Sequence, residues 1–207
     1  MIFFDIETIM DFDIENYTII DGVRVHKETW ELSPHGKYWE KMPFMPEFNK
    51  IFTITVWRFL KDWTREIKNL EWDEIEQLKK FSLLAESGKV CWHNIKWFDL
   101  PFIIKRMMKH WIELPNALKF YWKKPWDLEN IVDTLDIRKC WVFNWYGSLD
   151  LICNFLWITS PKDWGIDGSL VQDFYNKGKQ EEILKYCIRD VEATMSLYEY
   201  FKKYNLV

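Results

Sequence analysis

Ile2-Phe3-Phe4-Asp5-Ile6-Glu7-Thr8 is the stretch on which the fold turns. Its apolar residues and alternating pattern predict a buried strand over residues 1–8. Side chains at i and i+2 leave the same face of a strand, so Asp5 and Glu7 share one side and Ile6 points the other way. Two carboxylates at the end of a buried strand are costly unless something compensates them. Alone, the pair fits either a solvated strand end or a functional site.

The rest of the chain supplies the layers around that strand. Residues 10–48 read as a long irregular excursion within a single domain spanning 1–207, broken by Asp21-Gly22, Pro34, Pro43 and Pro46. Residues 50–60 alternate and are β-branched, which predicts a strand, with 64–70 as its partner. Residues 73–86 carry Ile75, Leu78, Phe81, Leu83 and Leu84 at helical spacing. Residues 89–92 predict a short buried strand. Asp99 to Lys109 predicts a helix, with Pro101 tolerated in its first turn. Ile131 to Ile137 predicts another short strand. Ser148 to Leu156 predicts a helix capped by Ser148, and Glu181 to Tyr204 is the longest helical pattern. Strands come first and helices interleave, so the expected class is α/β with a mixed central sheet flanked by helices.

Composition narrows the functional classes. Of 207 residues, 48% are hydrophobic and 29% charged, an ordinary soluble balance with enough apolar material for one large core. No run of about 18 apolar residues exists to span a membrane. The first residues lack the basic region of a signal peptide. Cys91, Cys140, Cys153 and Cys187 show no Cys-x-x-Cys spacing, and reduced thiols in a cytoplasm are the expectation. The net charge of −4 excludes a polycation that coats nucleic acid.

Two further elements carry chemistry. His93-Asn94-Ile95-Lys96-Trp97-Phe98-Asp99 follows a buried strand and enters a helix, where Asp99 could simply favour the helix dipole. Tyr186 and Asp190 are four apart in the last helix and so share a face.

Together, Phe-Asp-Ile-Glu-Thr (4–8), Asn94 with Phe98-Asp99, and Tyr186-x-x-x-Asp190 resemble the three motifs of the DEDD 3′–5′ exonucleases. The tyrosine marks the DEDDy branch. Val-Asp-Thr-Leu (132–135), Ser-Leu-Asp-Leu-Ile-Cys (148–153) and Ser-Pro-Lys-Asp (160–163) resemble stand-alone bacterial exonucleases related to the proofreading domain of family B DNA polymerases. Each motif alone is weak; the three in order are specific. The resemblance covers about residues 1–9 and 46–200. It implies a ribonuclease H-like fold and hydrolysis at the 3′ end of single-stranded DNA. RNA is an alternative substrate, and an impaired nucleic-acid-binding module of the same fold is an alternative function. Proofreading or repair, beside a separate polymerase or repair partner, would be the setting.

The physical logic agrees. Four converging carboxylates repel, a pair at 4 Å by about 4 kcal/mol at an effective dielectric of 20. Such a cluster needs protons or divalent cations. Hard carboxylate oxygens with no His or Cys suit two Mg²⁺ or Mn²⁺ rather than zinc. The resemblance implies that Asp5 bridges both ions, that Glu7 and Asp190 hold the ion that activates water, and that Asp99 serves the other through water. Tyr186, with a reference pKa near 10, is a poor base and would orient the water. The substrate candidates are Thr8, Asn94 and Phe98, with Phe98 equally suited to the core. Lys105, Arg106, Lys109, Lys123 and Lys124 could neutralise phosphates, although a solvated surface explains most such lysines.

Trp is 14 residues and Gly only 7. Several Trp stand where backbone chemistry asks for Gly: Trp63 in a turn, Trp111 and Trp157 just past helix ends, Trp145 and Trp164 in loops. The resembled family commonly has Gly where this chain has Trp92 and Trp97, whereas Trp126 matches a family Trp. The pattern predicts a gene in which UGA encodes glycine but is written here as Trp. Reading positions 57, 63, 92, 97, 111, 122, 141, 145, 157 and 164 as Gly takes glycine from 7 to 17 of 207 residues, near the usual share of about 7%. The alternative is a natural Trp-rich protein whose indoles pack or stack on bases.

Overall fold

The computed structural model describes residues 1–11, 17–20, 23–29, 45–59, 64–70, 73–86, 88–119, 124, 128–139 and 147–207. Strand β1 (Ile2–Met10) is the third strand of a five-stranded sheet. It pairs antiparallel with β4 (Asn49–Phe59), which pairs antiparallel with β5 (Arg65–Leu70). On its other side β1 runs parallel to β6 (Val90–Trp92), which runs parallel to β7 (Ile131–Asp133). The sheet is therefore mixed, in the order β5-β4-β1-β6-β7. Between β1 and β4, β2 (Tyr17–Ile20) and β3 (Val23–His26) pair antiparallel as a separate small sheet. Local order thus exists inside the segment expected to be irregular.

The alternation of β1 sorts the helices onto two faces. Phe4 meets Phe81 of α1 (Glu74–Ala85) with ring centres 4.7 Å apart, so even residues look toward α1. Phe3 meets Tyr198 of α6 (Gln180–Lys203) at 5.3 Å, so Phe3, Asp5 and Glu7 look toward α6. The helix α5 (Val171–Asn176) also packs on β1. A shift of register between Glu7 and Thr8 bends the strand immediately beside the two acids. Such irregularities re-aim side chains near sites.

Asp99–Lys109 forms α2, as its sequence predicts, and Leu149–Phe155 forms α4 with the Ser148 hydroxyl accepting from Leu151 N at 3.2 Å. The expected strand 131–137 is corrected. Only Ile131–Asp133 is strand, and Thr134–Lys139 is a helix, α3. The cause is Asp133, whose carboxylate accepts from Leu135 N at 2.9 Å and starts a helical turn. Cys91, Cys153 and Cys187 are buried and in no disulfide. Among the described residues, no helix is long and apolar enough to cross a membrane.

Candidate active site

Three elements bring the predicted acids to one cleft of about 1290 Å³. Asp5 and Glu7 enter from β1, Asp99 from the first position of α2, and Tyr186 and Asp190 from one face of α6. Thr8, Asn94 and Phe98 line the same cleft, so all eight candidates are brought together. Phe98 does both things expected of it: it lines the cleft and packs on the core, its ring 5.5 Å from that of Phe102. Asp99 does not cap α2. Phe98 holds the cap position, and its side chain makes no cap hydrogen bond.

The acids are buried, and their charges are poorly compensated. Burial raises the proton affinity of Asp5 well above the usual carboxylate range, and Glu7, Asp190 and Asp99 raise it further. Glu7 is raised by burial, then by Asp190 and Asp99. Asp99 is raised by burial, then by Asp133 and Asp190 despite a hydrogen bond from its own backbone. Burial pushes Asp190 up to about 7, against the pull of a hydrogen bond from Tyr186 and the charges of Arg189 and Lys162. Tyr186 is itself raised by burial and by the surrounding acids. It stays a neutral phenol that donates to Asp190.

Repulsion on this scale fits a cation site. Asp5, Glu7 and Cys187 place potential ligand atoms within 4.8 Å of one another. Cys187 acts here as a donor: its Sγ lies 3.3 Å from Asp5 Oδ2, and burial holds it as a thiol. That leaves oxygens as the cation-facing atoms, the donor type preferred by Mg²⁺ and Mn²⁺.

Three features escape the sequence reading. Asp133 is buried at the end of β7, opposite Trp92, and accepts from Asn94 N at 2.8 Å and Lys96 N at 3.4 Å. His93 bridges Thr134 Oγ1 and the Gly147 carbonyl, each at 2.9 Å. Burial lowers its pKa to about 4, so its neutral ring donates from Nε2 to that carbonyl. A Cβ on Gly147 would meet the Arg138 guanidinium, the movable end of a long side chain. Lys162 lines the cleft. The motif Ser-Pro-Lys-Asp held the signal for Lys162, but nothing local showed where it would point.

The basic candidates behave otherwise. Arg106 is buried, and its guanidinium is taken up by Glu74, Asp11 and the Pro46 carbonyl, which removes it as a phosphate contact. Lys105 pairs with Glu47 at 3.1 Å and Lys109 with Asp11 at 3.0 Å. Lys124 is exposed, and Lys123 lies outside the described residues. Trp97 lines the cleft and is 78% exposed. Trp63, Trp122, Trp126, Trp141 and Trp145 lie outside the described residues, as does the side chain of Trp164.

Residues 42–205 match the model of a family described as a predicted 3′–5′ exonuclease related to the exonuclease domain of PolB. That match begins after Asp5 and Glu7. The chain is similar in structure to the family B DNA polymerase from the hyperthermophilic archaeon Pyrobaculum calidifontis, with a TM-score of 0.66 at 16% identity. The likeness covers 99% of this chain and 25% of the polymerase, so the chain spans about a quarter of that protein's length. It establishes the ribonuclease H-like fold. No protein of curated function matches the chain.

Proposed function

Because this chain belongs to the family of predicted 3′–5′ exonucleases related to the exonuclease domain of PolB, we propose that it removes nucleotides from the 3′ end of single-stranded DNA by metal-dependent hydrolysis. The observation that carries this reading is the convergence of Asp5, Glu7, Asp99 and Asp190 with Tyr186 in one cleft. Two Mg²⁺ or Mn²⁺, held by the four carboxylates, would stabilise charge on the attacking and leaving oxygens of the phosphodiester. Asp5 is central because its charge meets all three other acids. Tyr186 donates to Asp190 and fixes both groups beside the place of attack. Its proton affinity is too high for a base at neutral pH, so it orients water. Asn94, Phe98 and Thr8 are positioned for the terminal nucleotides, with the Phe98 ring suited to stacking.

The test is incubation of 5′-labelled single-stranded DNA with Mn²⁺ and the protein. A ladder that shortens from the 3′ end, absent with EDTA and in Asp5→Ala protein, is the expected result. An RNA oligonucleotide cleaved faster than DNA would reassign the substrate within the same chemistry. The exposed indole of Trp97 in the cleft favours a second reading for the chain as written, a binding module with impaired catalysis. Salt-dependent binding with no cleavage at any Mn²⁺ concentration would select it.

A further inference from the structure

We propose that Asp133 is a positioning residue for Asp99, an inference that rests on the exonuclease reading and deepens it. Its carboxylate gathers three backbone N–H groups from two separate segments. Oδ1 accepts from Asn94 and from Leu135, and Oδ2 from Lys96. The first and last of these bonds hold the loop that leaves β6 and reaches Asp99 within a few residues. That loop needs holding, because Asn94 takes a left-handed backbone, φ 61°, which asparagine tolerates better than most residues. Asn94 O in turn accepts from Trp97 N at 3.2 Å, and Ile95 O from Leu100 N at 3.1 Å, which carries the order into α2. Asp133 is close enough that its charge raises the proton affinity of Asp99. Outer-shell partners of this kind change metal affinity by about 10–100-fold.

The test uses the full chain with Asp133→Asn and Asp133→Ser. The Asn amide turns a donor toward a loop N–H. Ser keeps a cap for α3 while dropping loop bonds, so one variant stays folded if the other does not. The expected result is a half-saturating Mn²⁺ concentration raised about 10-fold in calorimetry and in cleavage, with kcat recovered at saturating Mn²⁺. Asp99→Ala should not recover at any Mn²⁺. Wild-type Mn²⁺ affinity in both variants, or kcat lost even at saturating metal, would overturn the positioning role while the exonuclease reading stands. A wild-type chain that neither binds Mn²⁺ nor cleaves would overturn that reading and this inference with it.

A separate observation carries a second inference. Among the described residues, four helices end in the same motif, with the residue after the cap in the left-handed region and the next N–H reaching back to the third-last helical carbonyl. In α5 that residue is Gly178, φ 73°, with Lys179 N to Phe174 O at 2.9 Å. In α6 it is Asn205, φ 53°, with Leu206 N to Phe201 O at 3.2 Å. In α2 it is Trp111, φ 56°, with Ile112 N to Met107 O at 2.9 Å, and in α4 Trp157, φ 59°, with Ile158 N to Cys153 O at 2.9 Å. Both indoles are 96% exposed, so packing does not compensate the strained backbone. We infer that positions 111 and 157 are glycine in the natural protein, encoded by UGA. Trp164 differs, since Gly165 itself takes the left-handed position there, φ 78°. Trp57 and Trp92 are buried in β4 and β6, and the backbone gives no such reason at either.

Peptide masses across both helix ends of protein isolated from its own cells should read Gly at 111 and 157; Trp at either would overturn the inference. Recombinant Trp111→Gly/Trp157→Gly protein should melt about 2–4 °C higher per position than the chain as written. Trp57→Gly, which empties a core site, should melt lower. A double variant that melts lower would remove the geometric ground.

Discussion

Two clusters of buried charge lie two turns apart on α2 and obey opposite rules. Around Arg106, opposite charges meet. Glu74 accepts from Arg106 Nε at 2.7 Å and from its Nη2, from His110 at 2.8 Å and from Ile51 N at 2.7 Å, while Asp11 accepts from Nη2 and the Pro46 carbonyl from Nη1. Around Asp99, four acids face one another and each has its proton affinity raised. A chain can settle a buried charge with an opposite charge of its own, as it does at Arg106. Where it leaves like charges together, the compensating partner comes from outside. The contrast locates the site on physical grounds alone.

The largest effect that would break the contrast is Asp190→Asn. Cleavage should fall by about 10³-fold, while the melting temperature in EDTA should rise because one repelling charge is gone. A single-turnover rate and a thermal melt check both. A lower melting temperature would mean that the acids support the fold and the two clusters are alike.

Glu74→Gln should behave in the opposite way. It leaves the buried Arg106 without its main counter-charge, a loss of about 3–5 kcal/mol, or a fall in Tm on the order of 10 °C for a chain of this size. Activity measured well below that temperature should stay within about threefold of wild type. A melt unchanged by the substitution would deny that this cluster holds the fold.

pH sharpens the same comparison with a sign. Asp190 keeps its proton up to about pH 7 in the metal-free fold, but an unfolded aspartate releases it near 3.9. The folded state binds more protons across that window, so stability in EDTA should fall as pH rises from about 4 to 7. Asp5, Glu7 and Asp99 are raised in the same direction and extend the loss. Asp11 works the other way. Lys109 and Arg106 lower its pKa, outweighing burial, so its contribution is present above the ordinary aspartate range and lost as pH falls through the depressed value. Melts in EDTA between pH 4 and 8 should therefore decline with pH. The decline should be shallower in Asp190→Asn, and Mn²⁺ should reverse it at pH 8.

The acids of the site are legible in the sequence because each rests on local geometry: two residues apart on a strand, at a strand-to-helix junction, four apart on a helix. Each of these patterns alone also fits a structural role, and the resemblance of the three motifs, in order, to the DEDD 3′–5′ exonucleases ties them together. Arg106 is misread for the opposite reason. Its partners Glu74 and Asp11 lie 32 and 95 residues away, so nothing local distinguishes it from the exposed lysines beside it. Asp133 hides in a Val-Asp-Thr-Leu run that alternates like a strand, and its three bonds exist only once β6 and β7 are side by side. Cys187 is invisible likewise, since the neighbour of Tyr186 meets Asp5 only after α6 packs on β1. The helix ends are legible. A residue just past a helix often takes a left-handed backbone whatever the tertiary fold, and Trp111 and Trp157 both do so.

The smallest effect belongs to Lys162, a cation set against the acidic side of the comparison. It lines the cleft, is exposed, and lowers the proton affinity of Asp190. Its screened position makes it a weak partner for a buried carboxylate and a better one for an incoming phosphate. Lys162→Ala should leave the melt in EDTA nearly unchanged and kcat within about twofold of wild type. KM for an oligonucleotide should rise a few-fold, and the slope of log KM against log salt should shrink by about one. A large fall in kcat with an unchanged salt slope would place Lys162 with the reacting groups instead. The acidic cluster would then have a cationic partner from its own chain, and the contrast with Arg106 would be one of degree.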